Sequence, residues 1–70
     1  MADGLAVGDH VTIDPAKLTG QAQRMLKGVD TFRVSEVTEG QVPTIVAEYE
    51  GGQRRVLVAE IMPAIVSVEH

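Results

Sequence analysis

Thr44-Ile45-Val46-Ala47-Glu48-Tyr49-Glu50-Gly51-Gly52-Gln53-Arg54-Arg55-Val56-Leu57-Val58 is the stretch whose reading decides the fold. Ile45, Ala47 and Tyr49 alternate with Val46, Glu48 and Glu50, the two-residue period of a strand, so a strand is expected from about Thr44 to Glu50. Gly51-Gly52 follows between β-rich flanks. Two glycines can take the positive φ angles of a tight hairpin turn without steric cost. Arg54 to Val58 is then the returning strand. With the turn centred on Gly51-Gly52, Glu50 meets Gln53, Tyr49 meets Arg54, and Glu48 faces Arg55. Cross-strand Glu–Arg pairs of this kind contribute about 0.2–1 kcal/mol.

Strand character extends to both sides of this hairpin. Upstream, Thr31-Phe32-Arg33-Val34-Ser35-Glu36-Val37 sets Phe32 and Val34 on one face and Thr31, Arg33 and Ser35 on the other. Val37 breaks the alternation, so either a bulge lies near Glu36 or the strand is covered on both sides there. Thr38-Glu39-Gly40-Gln41 reads as a turn. Earlier still, His10-Val11-Thr12-Ile13 alternates after Gly8-Asp9, and Asp14-Pro15 ends that strand as a helix cap followed by a first-turn proline. The period then changes. Leu18, Ala22, Met25, Leu26 and Val29 recur at three- and four-residue spacing, the pattern of one helix face, and Gly28 closes it. One or two helical turns are expected over Gln21 to Lys27, inside a long excursion. Downstream, Ala59-Glu60-Ile61-Met62 reads as a single helical or 3-10 turn, because Pro63 biases Met62 away from helix. Ala64 to Val68 is the last strand.

Seventy residues hold one domain, expected over 7–68, with residues 1–6 as a frayed tail. Folding a chain of this size removes only roughly 60% of its extended surface from water. There is no cysteine, hence no disulfide and no thiolate for zinc. The apolar share of 44% is that of a globular protein. The longest uninterrupted apolar run, Val56-Leu57-Val58-Ala59, is far short of the about 20 residues of a membrane span. Met1-Ala2-Asp3-Gly4 carries an acid where a secretory leader opens on cations. A soluble, cytoplasmic protein is expected. Ten acids against six bases give a net charge of −4, which sets overall electrostatics against a nucleic-acid duplex.

The order is therefore strand, helical excursion, three strands, short turn, strand. Together with Val7-Gly8-Asp9-His10-Val11, Phe32-Arg33-Val34 with Val37, and Val56-Leu57-Val58-Ala59-Glu60-Ile61-Met62-Pro63, it resembles the SH3-like small barrels over about residues 7–68. In many of these a G-D-x-V opening and a hydrophobic-x-Pro turn before the last strand hold these places. The resemblance implies a mainly β, five-stranded SH3-like small barrel, with a short helical insertion after the first strand and a 3-10 turn before the last. That architecture hosts many functions. Peptide-binding SH3 domains grip polyproline with several aromatic rings, whereas this chain has Phe32, Tyr49 and no tryptophan. The KOW type carries a glycine- and lysine-rich loop after its first strand. Here residues 14–28 hold two lysines and one arginine in a helical pattern.

No constellation for catalysis is legible. Asp9 and His10 are strand neighbours pointing to opposite faces, so they do not converge on a metal. His70 is terminal and expected to be frayed. Glu48 and Glu50 share a face about 7 Å apart, a spacing that a solvated outer face explains. Gly51-Gly52 lies in a hairpin and not before a helix, so it is no phosphate cradle. No cofactor, metal or catalytic residue is expected, and a small metal-dependent enzyme is the least supported class. The leading expectation is a non-catalytic interaction module, a small accessory or regulatory subunit that docks onto a larger protein or pairs with itself. Its surfaces would be the stripe bearing Leu18, Met25 and Leu26, and the hairpin bearing Tyr49, Arg54 and Arg55. The stripe is either a lid on the barrel end or an exposed partner surface. The arginines either pair with glutamates or form a patch for an acidic partner or phosphate. The last strand, with Ile65, Val66 and Val68, carries little charge to protect its edge. The alternative is a nucleic-acid-binding small barrel that uses Arg33, Arg54, Arg55 and Lys27.

Overall fold

The computed structural model describes residues 4–70. Its five strands form one antiparallel sheet. They are β1 (His10–Ile13), β2 (Thr31–Thr38), β3 (Thr44–Tyr49), β4 (Gly52–Leu57) and β5 (Ile65–Glu69), in the spatial order β4-β3-β2-β1-β5. β4 and β5 are the two edges, and no ladder joins them among the described residues. Between β1 and β2 lie a 3-10 turn (Pro15–Lys17) and a one-turn helix α1 (Ala22–Met25). Between β4 and β5 lie α2 (Val58–Ile61) and a second 3-10 turn (Met62–Ala64). The chain is thus mainly β, with the excursion and the turn before the last strand where the sequence places them. α1 is shorter than the expected Gln21 to Lys27.

Strand alternation builds the core. Val11 and Ile13, Phe32 and Val34, Ile45 and Ala47, and Val56 all face inward, and Leu5, Val58, Ile61 and Ala64 complete the floor. In β2 the register shifts between Val34 and Glu36, which leaves Ser35 as the extra residue of a bulge. Past it Val37 stands opposite Ile45 and packs against the core. The broken alternation is therefore a bulge that returns Val37 to the inner face. A second shift, between Thr12 and Ile13 against Ser67 and Ile65, leaves Val66 over in β5 and turns it into solvent. Ile65 and Val68 stay packed on the core, so the inner face of the last strand is the covered one.

The excursion is a lid. Asp14 caps the first 3-10 turn by accepting the Ala16 N–H at 3.1 Å, with Pro15 behind it. Leu18, Ala22 and Leu26 are buried in the main core. Glu60 pins the segment from 38 or more residues away. Its carboxylate accepts the N–H of Gln21 (3.2 Å) and of Ala22 (3.3 Å), the first donors of α1. Its carbonyl accepts the N–H (3.1 Å) and hydroxyl (3.3 Å) of Thr19. Gly20 passes beneath this carboxylate at φ +57, where a Cβ would overlap Glu60 Oε2.

Three expectations are corrected. The hairpin loop is Glu50-Gly51, not Gly51-Gly52, so Tyr49 pairs with Gly52, Glu48 with Gln53, Ala47 with Arg54 and Val46 with Arg55. Gly52, at φ +137, makes the first rung itself. Sliding by two residues keeps every face but removes the Glu48–Arg55 pair. It also ends β4 at Leu57, opposite Thr44, and frees Val58 to start α2 with its N–H on the Pro43 carbonyl at 3.1 Å. The tail expected over 1–6 is shorter at its inner end, because Leu5 is a core residue. Residues 1–3 of that tail lie outside the described residues. His70, expected to fray, sets its Nδ1 3.0 Å from Asp9 Oδ1. Asp9 is itself buried, where it closes the Ala6–Asp9 turn. Its carboxylate accepts the Ala6 N–H at 2.9 Å, and its own N–H donates to the Ala6 carbonyl at 3.1 Å.

Candidate functional site

β4 is the most exposed strand, with only Val56 buried along it. It is an edge, and α1 lies beside it. Two open grooves lie near this strand, and only the first is lined by both α1 and β4. One, about 370 Å³, is lined by Gln21 and Met25 from the lid, Arg55, Val56 and Leu57 from β4, and Glu60 and Thr44. The other, about 390 Å³, runs from Lys27–Thr31 behind α1 to Tyr49, Glu50 and Gly51 at the hairpin. Arg54 lines neither. It is opposite Ala47 and therefore shares the inward face of β4 with Val56, but it is beyond the core and exposed.

The expected surface residues divide. Leu18 and Leu26 are buried and unavailable to a partner, because they anchor the lid. Met25, from the same stripe, is 39% exposed and lines the first groove, as does Leu57, 36% exposed. Tyr49 is half-buried at the second groove. Arg55 is a fixed wall: its Nη2 donates to Glu36 Oε1 at 2.9 Å, and its Nη1 to the hydroxyls of Thr38 and Thr44 at 3.2 Å each. Because Arg55, Val46 and Glu36 form one row across three strands, this ion pair roofs Val46 on the outer face. The arginine–glutamate pairing expected for the hairpin thus exists, but with Glu36. Glu48 instead lies 4.0 Å from Arg33 in the neighbouring row, Glu69–His10–Arg33–Glu48–Gln53. Both pairs are half in water, where such contacts contribute little.

Acids and bases are interleaved around the grooves, with Asp30 and Glu50 beside Lys27 in one and Glu60 beside Arg55 in the other. Arg33 and Arg55 are paired, whereas Lys17, Arg24, Lys27 and Arg54 form no ion pair among the described residues. Three of these four, Arg24, Lys27 and Arg54, lie on α1, just after it, or on the strand beside it. Asp9 has its carboxyl held below the usual range, first by the Ala6 N–H and then by His70. It belongs to the opposite end of the sheet and holds a turn. Among the described residues no three His, Cys, Asp or Glu side chains are placed to hold a metal ion, and no helix is long and apolar enough to cross a membrane.

Sequence reasoning missed Leu57 and Glu60. Leu57 was legible: with Val56 inward, strict alternation turns its neighbour outward. Glu60 was not, since its partners are 38 and 39 residues away and no local pattern announces them. No protein-family model matches the chain, and neither the curated proteins nor the solved structures compared with it include a significant match.

Proposed function

We propose that this chain is an SH3-like small barrel acting as a non-catalytic interaction module, a small cytoplasmic accessory or regulatory subunit that docks onto a larger protein through the cleft between α1 and β4. One observation carries the reading: Met25 and Leu57, both partly exposed, line one groove with Arg55 along an open sheet edge. The strand order, the insertion after β1 and the 3-10 turn before β5 support the barrel assignment. A solvated thioether adapts readily to an irregular partner surface. Arg55 is already paired with Glu36, so it offers the partner a hydrogen-bonded wall more than a free charge. The other exposed apolar side chains, such as Val42 and Val66, line none of the grooves described here.

The test is site-specific photocrosslinking in the source cell, with a benzophenone side chain at position 25 and, as control, at position 66. A discrete protein adduct from position 25 that is lost on Leu57→Glu and survives nuclease treatment supports the reading. Adducts to nucleic acid, equal adducts from position 66, or none at all overturn it.

A further inference from the structure

We infer that His70 and Asp9 form a proton-operated latch that closes the β5 edge of the sheet. β5 is the opposite edge from β4, and the inference stands apart from the docking reading above. The β1–β5 register ends with His10 opposite Glu69, and continuing it by one rung sets Asp9 opposite His70. Both side chains therefore leave the sheet on the face that His10 and Glu69 do not use. There Nδ1 of His70 lies 3.0 Å from Oδ1 of Asp9. The two partners are unequal in exposure. The Asp9 side chain is 5% exposed, so little water competes for its oxygens, whereas the imidazole is 71% exposed and trades its proton with solvent.

Asp9 gives the latch its reach. Its Oδ2 accepts the Ala6 N–H at 2.9 Å in the turn beside the buried Leu5, and its carbonyl accepts the Val34 N–H at 2.9 Å. One residue thus ties the turn, β2 and the end of β5 together. An imidazolium donates from both nitrogens, and its charge strengthens the bond to a carboxylate. The neutral ring has one proton for two nitrogens, and in the tautomer protonated at Nε2 the Nδ1 lone pair faces the carboxylate oxygen. Imidazoles change charge between about pH 5 and 8, so the latch tightens on the acid side of that window and slackens on the alkaline side. The charged groups on the adjoining rungs are His10 on β1, Arg33 on β2 and Glu69 on β5, all in the row on the other face, and residues 4–8 carry no charge. Of these His10 also acts on Asp9 through space, more weakly than His70. Fraying of β5 uncovers the ladder groups of β1 beside it, so the same proton guards this edge against pairing with another strand.

The experiment follows ¹H–¹⁵N spectra and heteronuclear NOEs of the full chain from about pH 5 to about pH 8, for the parent protein, His70→Gln and His10→Gln. In the parent and in His10→Gln, the Ala6 amide resonance should shift in a single step across this range, and the NOE of the Glu69 amide should fall with the same midpoint. Both changes should be lost in His70→Gln, which keeps a polar side chain but takes up no proton. Dispersed spectra report directly that each variant is folded. A flat Ala6 resonance in the parent, an NOE at Glu69 that does not change with pH, a step that survives His70→Gln, or one abolished by His10→Gln overturns the inference.

Discussion

Replacing Glu60 with alanine should loosen the lid without touching the sheet. The carboxylate accepts two main-chain N–H groups at the start of α1, at 3.2 and 3.3 Å, and no residue of the lid itself supplies a side-chain cap there. Loss of a helix N-cap costs about 0.5–2 kcal/mol. Two donors are released here, but the site is partly in water, which can re-solvate them, so about 1–2 kcal/mol is expected. A 70-residue domain has a total stability of about 4–10 kcal/mol, so this is a considerable share. At about 4–8 °C per kcal/mol, Tm should fall by about 5–15 °C. Glu60→Gln keeps an acceptor oxygen and should lose about half as much. Urea unfolding should show a lower midpoint at unchanged slope, since the surface exposed on unfolding is the same. Native-state hydrogen exchange should accelerate at Gln21 and Ala22, whose N–H groups the Glu60 carboxylate accepts, ahead of β2 and β3. If Glu60→Ala unfolds within about 0.3 kcal/mol of the parent protein, inside the range of an ordinary surface substitution, the clamp is not an energetic feature and the reasoning fails.

Gly20→Ala introduces a Cβ that overlaps the Glu60 carboxylate at a backbone with φ +57, and should cost about 1–3 kcal/mol; in a Glu60→Ala background the same change should cost measurably less in a double-mutant cycle. Leu26→Ala, at a fully buried position, should destabilise by about 2–5 kcal/mol and leave little folded protein at 37 °C, while Met25→Ala, one residue away and half in water, should cost under about 1 kcal/mol by thermal melt. Asp9 has a folded-state pKa below the ordinary 3.8, so the stability it supplies is fully present above that value and is lost as pH falls through the lower folded one. Asp9→Asn should therefore flatten the acid limb of a stability–pH profile below about pH 4, and an unchanged limb would show that another carboxylate governs it.

How far the sequence could be read depends on the range of the interaction. Period-two runs gave the inward faces of β1, β2 and β3 correctly, because a half-buried strand has to repeat every two residues. The bulge at Ser35 was legible as an alternative, since Val37 was out of phase. Hairpin register was not. Either glycine pair position satisfies local sterics, and the choice of Glu50-Gly51 is tied to where β4 must stop for α2 to begin. The stripe was legible as a face, but helical spacing alone could not say that Leu18 and Leu26 go in while Met25 stays partly out; the lid's clamp to Glu60 sets that rotation. Leu5 was lost because Leu5-Ala6-Val7, closed by Gly4 and Gly8, is too short a run to establish a period. As for the candidate cleft, its residues were visible singly, whereas their convergence depends on α1 lying beside β4, a placement made by long-range packing.

Pairing of β1 with β5 sets His10 against Glu69 and brings His70 onto Asp9, so the start of the first strand and the end of the last meet at one place. That ladder joins parts of the chain nearly sixty residues apart, the most distant strand pairing in the molecule. A flexible bridge from residue 70 back to residue 4, with new ends cut at Glu50-Gly51, would rewire the chain while keeping every strand. The most remote ladder would become a local hairpin, and the β3–β4 hairpin would become the remote pairing. Folding speed follows the average separation of contacts along the chain, so such a permutant reports which of the two ladders the native chain must close first.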